Sequence, residues 1–257
     1  MSPMANGLRV VVTAGGSGIG RVIAQTFKDA GARVHVCDIL PETIAECRTA
    51  GLGATLADVS DAKQVGHLFD EAEASLGGLD VLINNAGLAG PFSGIETIEI
   101  ADWERTIAVN LNGMFYCLKR AVPLLKAAGG GLVVNMSSVA GRLGFPFRSP
   151  YSASKWAIVG LTQTLAMELG PDNIRVNAIQ PGIVDGERHW RNAKRKAALL
   201  NITLDEQERR TLSKVSLRRM VSPQDVANMA LYLASDLGRT ISGQALSVCG
   251  NVESMSA

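Results

Sequence analysis

The sequence predicts an α/β fold: a doubly wound, mostly parallel sheet of seven strands in a single domain over residues 1–257. Three observations carry that expectation. Short apolar runs alternate with amphipathic segments of helical period along the chain. Three strand–helix repeats fall within the first hundred residues, which calls for parallel pairing through right-handed crossovers. Glycine, asparagine and acidic residues stand just after the apolar runs, at the strand carboxyl ends where such sheets bind ligands.

Composition narrows the class. At 257 residues with 47% hydrophobic content, the chain can bury a substantial core and is not disordered. A net charge of +1 gives no reason to expect nucleic acid or a membrane surface as partner. No apolar stretch approaches the ~18 residues of a membrane-spanning helix. The N-terminus, MSPMANGLRVVVT, lacks the charged region and long apolar core of a signal peptide. A soluble cytoplasmic protein is expected. Cys37, Cys47, Cys117 and Cys249 are scattered without C-x-x-C spacing, so they read as buried reduced thiols rather than disulfides or metal ligands.

The first strand, Leu8 to Thr13, stops at Ala14-Gly15-Gly16-Ser17-Gly18-Ile19-Gly20, and a helical pattern follows through Val22, Ile23, Thr26 and Phe27. Glycines between a strand and a helix let backbone approach a pyrophosphate, and the helix N-terminus offers its free N–H groups. The G-x-G-x-x-G spacing is absent, because Arg21 stands where the third glycine would be. A plain tight turn is the competing reading, but it leaves four glycines in six residues unexplained. The next strand, Arg33 to Cys37, closes on Asp38, about 20 residues after the glycines. An acid there accepts hydrogen bonds from an adenosine ribose and repels a 2′-phosphate, favouring NAD over NADP. A helix cap is the alternative use of such a residue.

Ala54 to Ala57 leads to Asp58-Val59, placing an acid where an adenine could lie. A helix from Asp61 to Leu76 buries Val65, Leu68, Phe69 and Ala72, and the apolar strand Leu79 to Ile83 runs into Asn84-Asn85-Ala86-Gly87. A long helical pattern from Ile98 to Ala128 is interrupted by Asn110 and Asn112. A buried amide there needs partners, either core backbone or a water beside a catalytic group.

The stretch from Asn135 to Lys155, NMSSVAGRLGFPFRSPYSASK, holds the expected chemistry. It follows the buried strand Leu132-Val133-Val134, passes Ser137 and Ser138, and enters a helix on which Tyr151 and Lys155 share a face at i,i+4. An ammonium beside a phenol favours the phenolate. Taken alone, Y-x-x-x-K is short enough to be a surface pair on an amphipathic helix. A strand at Ile174–Ile179 follows, ended by Gln180-Pro181-Gly182-Ile183-Val184. The region from about 185 to 219 is polar and basic (His189, Trp190, Arg191, Lys194, Arg195, Lys196), and its place after a strand end suits a substrate lid. Ser222 and Pro223 start a further helix, and Ala245 to Cys249 supplies the last strand.

Together these residues resemble the classical short-chain dehydrogenase/reductase family over almost the whole chain. Its T-G-x-x-x-G-x-G turn appears as Thr13, Ala14, Gly18 and Gly20, with alanine replacing the first glycine; N-N-A-G is intact at Asn84 to Gly87. The resemblance implies a Rossmann-type domain and a catalytic set of Asn110, Ser138, Tyr151 and Lys155. It implies hydride transfer between NAD(H) and an alcohol/ketone pair. Tyr151 would act as general acid/base, Ser138 would orient the substrate oxygen, Lys155 would support the tyrosine and hold the nicotinamide ribose, and Asn110 would position a water. The matching cofactor contacts are Ser17, Ile19, Asp38, Asp58, Val59, Asn85, Tyr151, Lys155 and Val184. A homotetramer acting on a small-molecule substrate, with no metal, is also implied.

For the substrate, Ser138 and Tyr151 would be joined by Arg148, three residues before Tyr151, and by His189. Arginine at that place could clamp a carboxylate, which points to a small polar, anionic substrate. The chain is similar to family members that oxidise sugar acids, such as 2-keto-3-deoxy-L-sugar-acid 4-dehydrogenases. The alternatives are a carbonyl reductase or hydroxysteroid-type enzyme working on neutral apolar substrates, and a non-catalytic NAD-sensing protein.

Overall fold

The computed structural model describes residues 4–255, except the side chains of Arg188, Arg195 and Leu199, so Arg195 of the basic run lies outside the described side chains. Seven strands form one sheet: β1 Arg9–Thr13, β2 Arg33–Asp38, β3 Gly53–Leu56, β4 Val81–Asn84, β5 Gly131–Met136, β6 Ile174–Pro181 and β7 Ala245–Val248. Their order is β3-β2-β1-β4-β5-β6-β7, and every pairing is parallel. The crossovers reverse direction between β1 and β4, opening a crevice at the carboxyl ends of those strands.

Strand periodicity splits the core into two layers. Val10 and Val12 of β1 face one layer with Val34, Val36 and Ile83, while Val11 faces the other with Leu82, Val133 and Val176. The first layer is closed by α1 (Gly18–Asp29) and α9 (Pro223–Ala234), through Ile23, Phe27, Val226 and Leu233. The second is closed by α3 (Ala62–Leu76), α5 (Gly113–Ala127) and α6 (Ser149–Leu169), through Leu68, Phe69, Leu118, Leu125 and Ile158. Burial on both faces is why these strands read as unbroken apolar runs. The shorter α2 (Pro41–Thr49) adds Ile44 and Cys47 beside β2. All four cysteines are free and buried.

Helix ends follow local chemistry. Asp61 caps α3 by accepting from the amides of Lys63 and Gln64, and Gly77 ends it in the left-handed conformation. Ser222 and Asp225 cap α9 reciprocally, with Pro223 in the first turn. Strand β4 begins at Val81 rather than Leu79; just before it the Asp80 carboxylate takes the Arg9 amide at 2.8 Å and pairs with its guanidinium at 2.6 Å. The helical pattern from Ile98 to Ala128 is α4 (Ile100–Ile107) and α5 joined by one π-helical stretch, Ala108–Asn112.

Residues 185 to 219 fold as two helices, α7 (Glu187–Leu200) and α8 (Leu204–Leu212), with Thr203 capping α8. Ala193, Ala197 and Gln207 are buried between them, while Arg191 and Lys194 stay exposed. No helix among the described residues is long and apolar enough to cross a membrane.

Candidate active site

The loop after β5 is tied to the start of α6. Ser137 Oγ donates to the Lys155 carbonyl at 2.8 Å, and Ser152 Oγ donates to the Ala140 carbonyl at 3.1 Å. These bonds fix Ser138, in extended backbone at the mouth of the loop, relative to Tyr151 and Lys155. Ser138 Oγ accepts from the Ala140 amide at 3.2 Å, which orients its hydroxyl. Tyr151 occupies the first turn of α6 and is half-buried. Lys155 is 4% exposed; its Nζ donates to the Met136 carbonyl at 2.7 Å and lies 5.6 Å from the centre of the Tyr151 ring. A lysine so buried keeps its charge only where partners compensate for lost water.

Asn110 arrives from the π-helical stretch and is fully buried. Its Oδ1 accepts from the Leu88 amide at 2.7 Å, and its Nδ2 donates to the Leu88 carbonyl and to Ser154 Oγ, each at 3.0 Å. Ser154 Oγ in turn donates to the Tyr151 carbonyl at 2.7 Å, linking Asn110 to the helix of Tyr151. A Cβ added to Gly87 would sit 3.3 Å from Asn110 Oδ1 and 3.5 Å from Lys155 Nζ, so both side chains converge on that glycine.

At the other side of the crevice the glycine turn meets β2 and β4. Asp38 Oδ2 accepts from the Gly16 amide at 3.0 Å and its Oδ1 from the Ile39 amide at 2.8 Å. Asn85 Nδ2 donates to the carbonyls of Thr13 and Ala14, at 3.0 and 3.1 Å. A Cβ on Gly20 would lie 2.2 Å from the Ala14 carbonyl oxygen and 2.4 Å from Asn85 Nδ2, so only glycine permits this packing. In front of Gly18, which has φ +53, a Cβ would meet nothing within 4 Å. The Ser17 side chain, at the N-cap of α1, is exposed and makes no capping bond. A closely packed turn with open space before a helix N-terminus fits a dinucleotide pyrophosphate.

Of the remaining sequence candidates, Asp58 and Val59 follow the carboxyl end of β3, and Val184 follows that of β6. Asp58 pairs with Arg105 at 2.8 Å; burial pushes its carboxyl up, but hydrogen bonds from Ser60 and Arg105 hold it below the ordinary range. Val59 is 6% exposed and packs against Gly113, and Ile19 lies in the first turn of α1. Val184, just past β6, bridges Val221. Arg148 Nη1 donates to the carbonyls of Ala89 and Gly90 at 3.3 and 3.0 Å, and its guanidinium lies 5.2 Å from the Phe92 ring centre. It anchors the 88–92 loop against the start of α6. His189 lies in the first turn of α7, edge-on to Trp190, with a buried Nε2 that has no hydrogen-bond partner. Burial lowers its pKa, against the pull of Asp185 and Glu208. Ser154 is a contributor the sequence alone did not single out.

Comparison with known proteins places the chain. A family model described as Enoyl-(Acyl carrier protein) reductase matches residues 13–251. A probable galactose dehydrogenase of Rhizobium meliloti (strain 1021) is 38% identical over 250 residues, 95% of this chain and 94% of that protein. A trans-4-hydroxycyclohexanecarboxylate dehydrogenase of Sinomonas cyclohexanicum is 35% identical over 252 residues, covering 93% and 90%. The crystal structure of an NAD+-bound xylitol dehydrogenase superposes with a TM-score of 0.90 at 28% identity, covering 96% of this chain and 99% of that one. The protein belongs to the short-chain dehydrogenase/reductase family. Within it, the chain is similar to oxidoreductases that act on alcohol and ketone groups.

Proposed function

We propose that this protein is an NAD-dependent alcohol dehydrogenase/ketoreductase acting on a secondary alcohol/ketone pair. The observation that carries the reading is the buried Lys155 ammonium beside the Tyr151 ring, on the helix to which the Ser138 loop is tied. NAD supplies the hydride acceptor or donor when bound. Ser17, Ile19, Asp38, Asp58, Val59, Asn85, Val184, Tyr151 and Lys155 would hold it, with Asp38 facing the adenosine ribose. During oxidation Tyr151 takes the proton of the substrate hydroxyl, and during reduction it returns one. Ser138 donates a hydrogen bond to the substrate oxygen and orients it. Lys155 offsets the negative charge left on the phenolate. Asn110 keeps the π-helical stretch in shape beside Lys155, where a water would pass protons outward.

The substrate class we propose is small, polar and anionic, such as a 2-keto-3-deoxy sugar acid. The relatives support it in two halves: one is named for a sugar, the other for a ring alcohol carrying a carboxylate. Exposed Arg191 and Lys194 add positive charge on the segment 185–219, which we take as a substrate lid. The buried Nε2 of His189 is a hydrogen-bonding group suited to that substrate. Arg148, anchored to two carbonyls, would contribute its field rather than a forked clamp. A second reading, a carbonyl reductase or hydroxysteroid-type enzyme for neutral apolar substrates, is favoured by apolar Leu143, Phe145, Pro146 and Met255 around a nearby cavity. A panel of sugar acids, neutral sugars, polyols and apolar alcohols, read by reduction of NAD, separates the two. The enzyme is proposed to be a cytoplasmic homotetramer, which native mass measurement checks for assembly.

A further inference from the structure

Between the loop after Ser138 and the C-terminal tail lies a solvent-open cavity of about 540 Å3, lined by Leu143, Phe145, Pro146, Glu253 and Met255 among others. That volume is within the ~300–1,000 Å3 of small-molecule sites. Phe145 joins the cavity to the chemistry: its ring stands edge-on to Tyr151, with centroids 6.5 Å apart. The facing wall is the tail, and it is firmly held. Ser216 donates its amide to the Asn251 carbonyl at 3.0 Å, and Glu253 donates its amide to the Lys214 carbonyl at 2.9 Å. Val252, 1% exposed, bridges Val215, and Arg142 Nη2 donates to the Val252 carbonyl at 3.2 Å. The tail is thereby tied both to the end of the 185–219 segment and to the loop that carries Ser138. Among the described residues Glu253 is the one charged residue lining the cavity, and Ser216 Oγ donates to its Oε1 at 2.6 Å, which sets its orientation.

We propose that this cavity is a distal subsite for the hydroxyl-bearing end of the substrate, with Glu253 as the residue that reads it. An oriented carboxylate accepts hydrogen bonds from neighbouring hydroxyls, while Phe145, Leu143 and Met255 pack against the C–H faces of the same carbons. A carboxylate accepts only and repels another anion, so the acid end of a sugar acid points away from the tail. The inference rests on the dehydrogenase reading and adds the place taken by the far end of the substrate.

The test is a comparison of wild type, Glu253→Gln and Glu253→Ala on two groups of alcohols. Short ones (2-butanol and 2,3-butanediol) end before the tail; five- and six-carbon polyols, sugars and sugar acids reach it. The expected result is a rise in KM of roughly tenfold on the long group, the size of a lost charge-assisted hydrogen bond. kcat on the long group, both constants on the short group and the KM for NAD stay at wild-type values. A merely destabilised variant would lose on both groups and on NAD together. Equal effects on the two groups, no effect on either, or a wild type that turns over only the short group would overturn the subsite. A wild type that reduces NAD with no alcohol of either group would overturn the dehydrogenase reading, and this inference with it.

Discussion

The Lys155 ammonium stands 5.6 Å from the centre of the Tyr151 ring while it donates to the Met136 carbonyl at 2.7 Å. The carbonyl holds the ammonium in place, one helical turn from the phenol that the proposed reaction uses. Removing the phenol oxygen removes the proton acceptor, so Tyr151→Phe is expected to lower kcat by about 10²–10⁴-fold. NAD binding, followed by fluorescence titration, should stay near wild type. Full turnover by the phenylalanine variant would end the assignment.

Asp38 is 7% exposed and shapes the glycine turn through the Gly16 amide. A carboxylate at the ribose discriminates against a 2′-phosphate by charge repulsion. Wild type should therefore prefer NAD over NADP in kcat/KM, and Asp38→Asn should narrow the gap by about tenfold or more. An unchanged ratio would show that Asp38 serves the turn alone.

Ala14 has φ +49, a left-handed backbone that costs an L-residue about 1–2 kcal/mol. Glycine relieves that strain but gives back roughly 0.4–1 kcal/mol in unfolded-chain entropy. Ala14→Gly is expected to stabilise the protein by about 1 kcal/mol, a rise in Tm of roughly 2–4 °C. Calorimetry that finds a lower Tm would contradict this balance.

His35, 3% exposed, sits between Thr55 Oγ1 at 2.8 Å and Ser75 Oγ at 2.9 Å. Burial, against the pull of Glu71, lowers its pKa from 6.5 to about 4. Below about pH 6.5 the unfolded chain takes up a proton that the folded chain refuses until about pH 4. Stability therefore falls as pH drops through that window, by about 3 kcal/mol in all, and levels off below it. Urea denaturation of wild type and His35→Asn across this range isolates the contribution, since the variant should lose that part of the slope. Parallel slopes would show a histidine that titrates normally.

Much of the fold is legible in the sequence because it rests on local signals. Leu8 to Thr13 is apolar because β1 is buried on both faces, and the glycines follow because Gly20 must pack against the Ala14 carbonyl. Ser222, Pro223 and Asp225 mark the start of α9 by capping chemistry alone. Long-range contacts are not written so plainly. Nothing near Asn110 says that Leu88 satisfies its amide, or that Ser154 links it to Tyr151. Arg148, three residues before Tyr151, reads as a clamp for a carboxylate, yet the carbonyls of Ala89 and Gly90, distant in sequence, engage it. The tail from 250 to 255 carries no motif, and its place beside Phe145 depends on bonds to Ser216 and Arg142.

Tyr151 and Lys155 are proposed to run an NAD-dependent alcohol/ketone interconversion. Its most direct test follows NAD reduction by wild type and Tyr151→Phe over sugar acids, sugars, polyols and apolar alcohols. Wild type is expected to turn over polar secondary alcohols, sugar acids fastest, and the variant to lose nearly all turnover. Turnover that survives loss of the phenol, or a wild type that binds NAD yet reduces none with any alcohol, would contradict it.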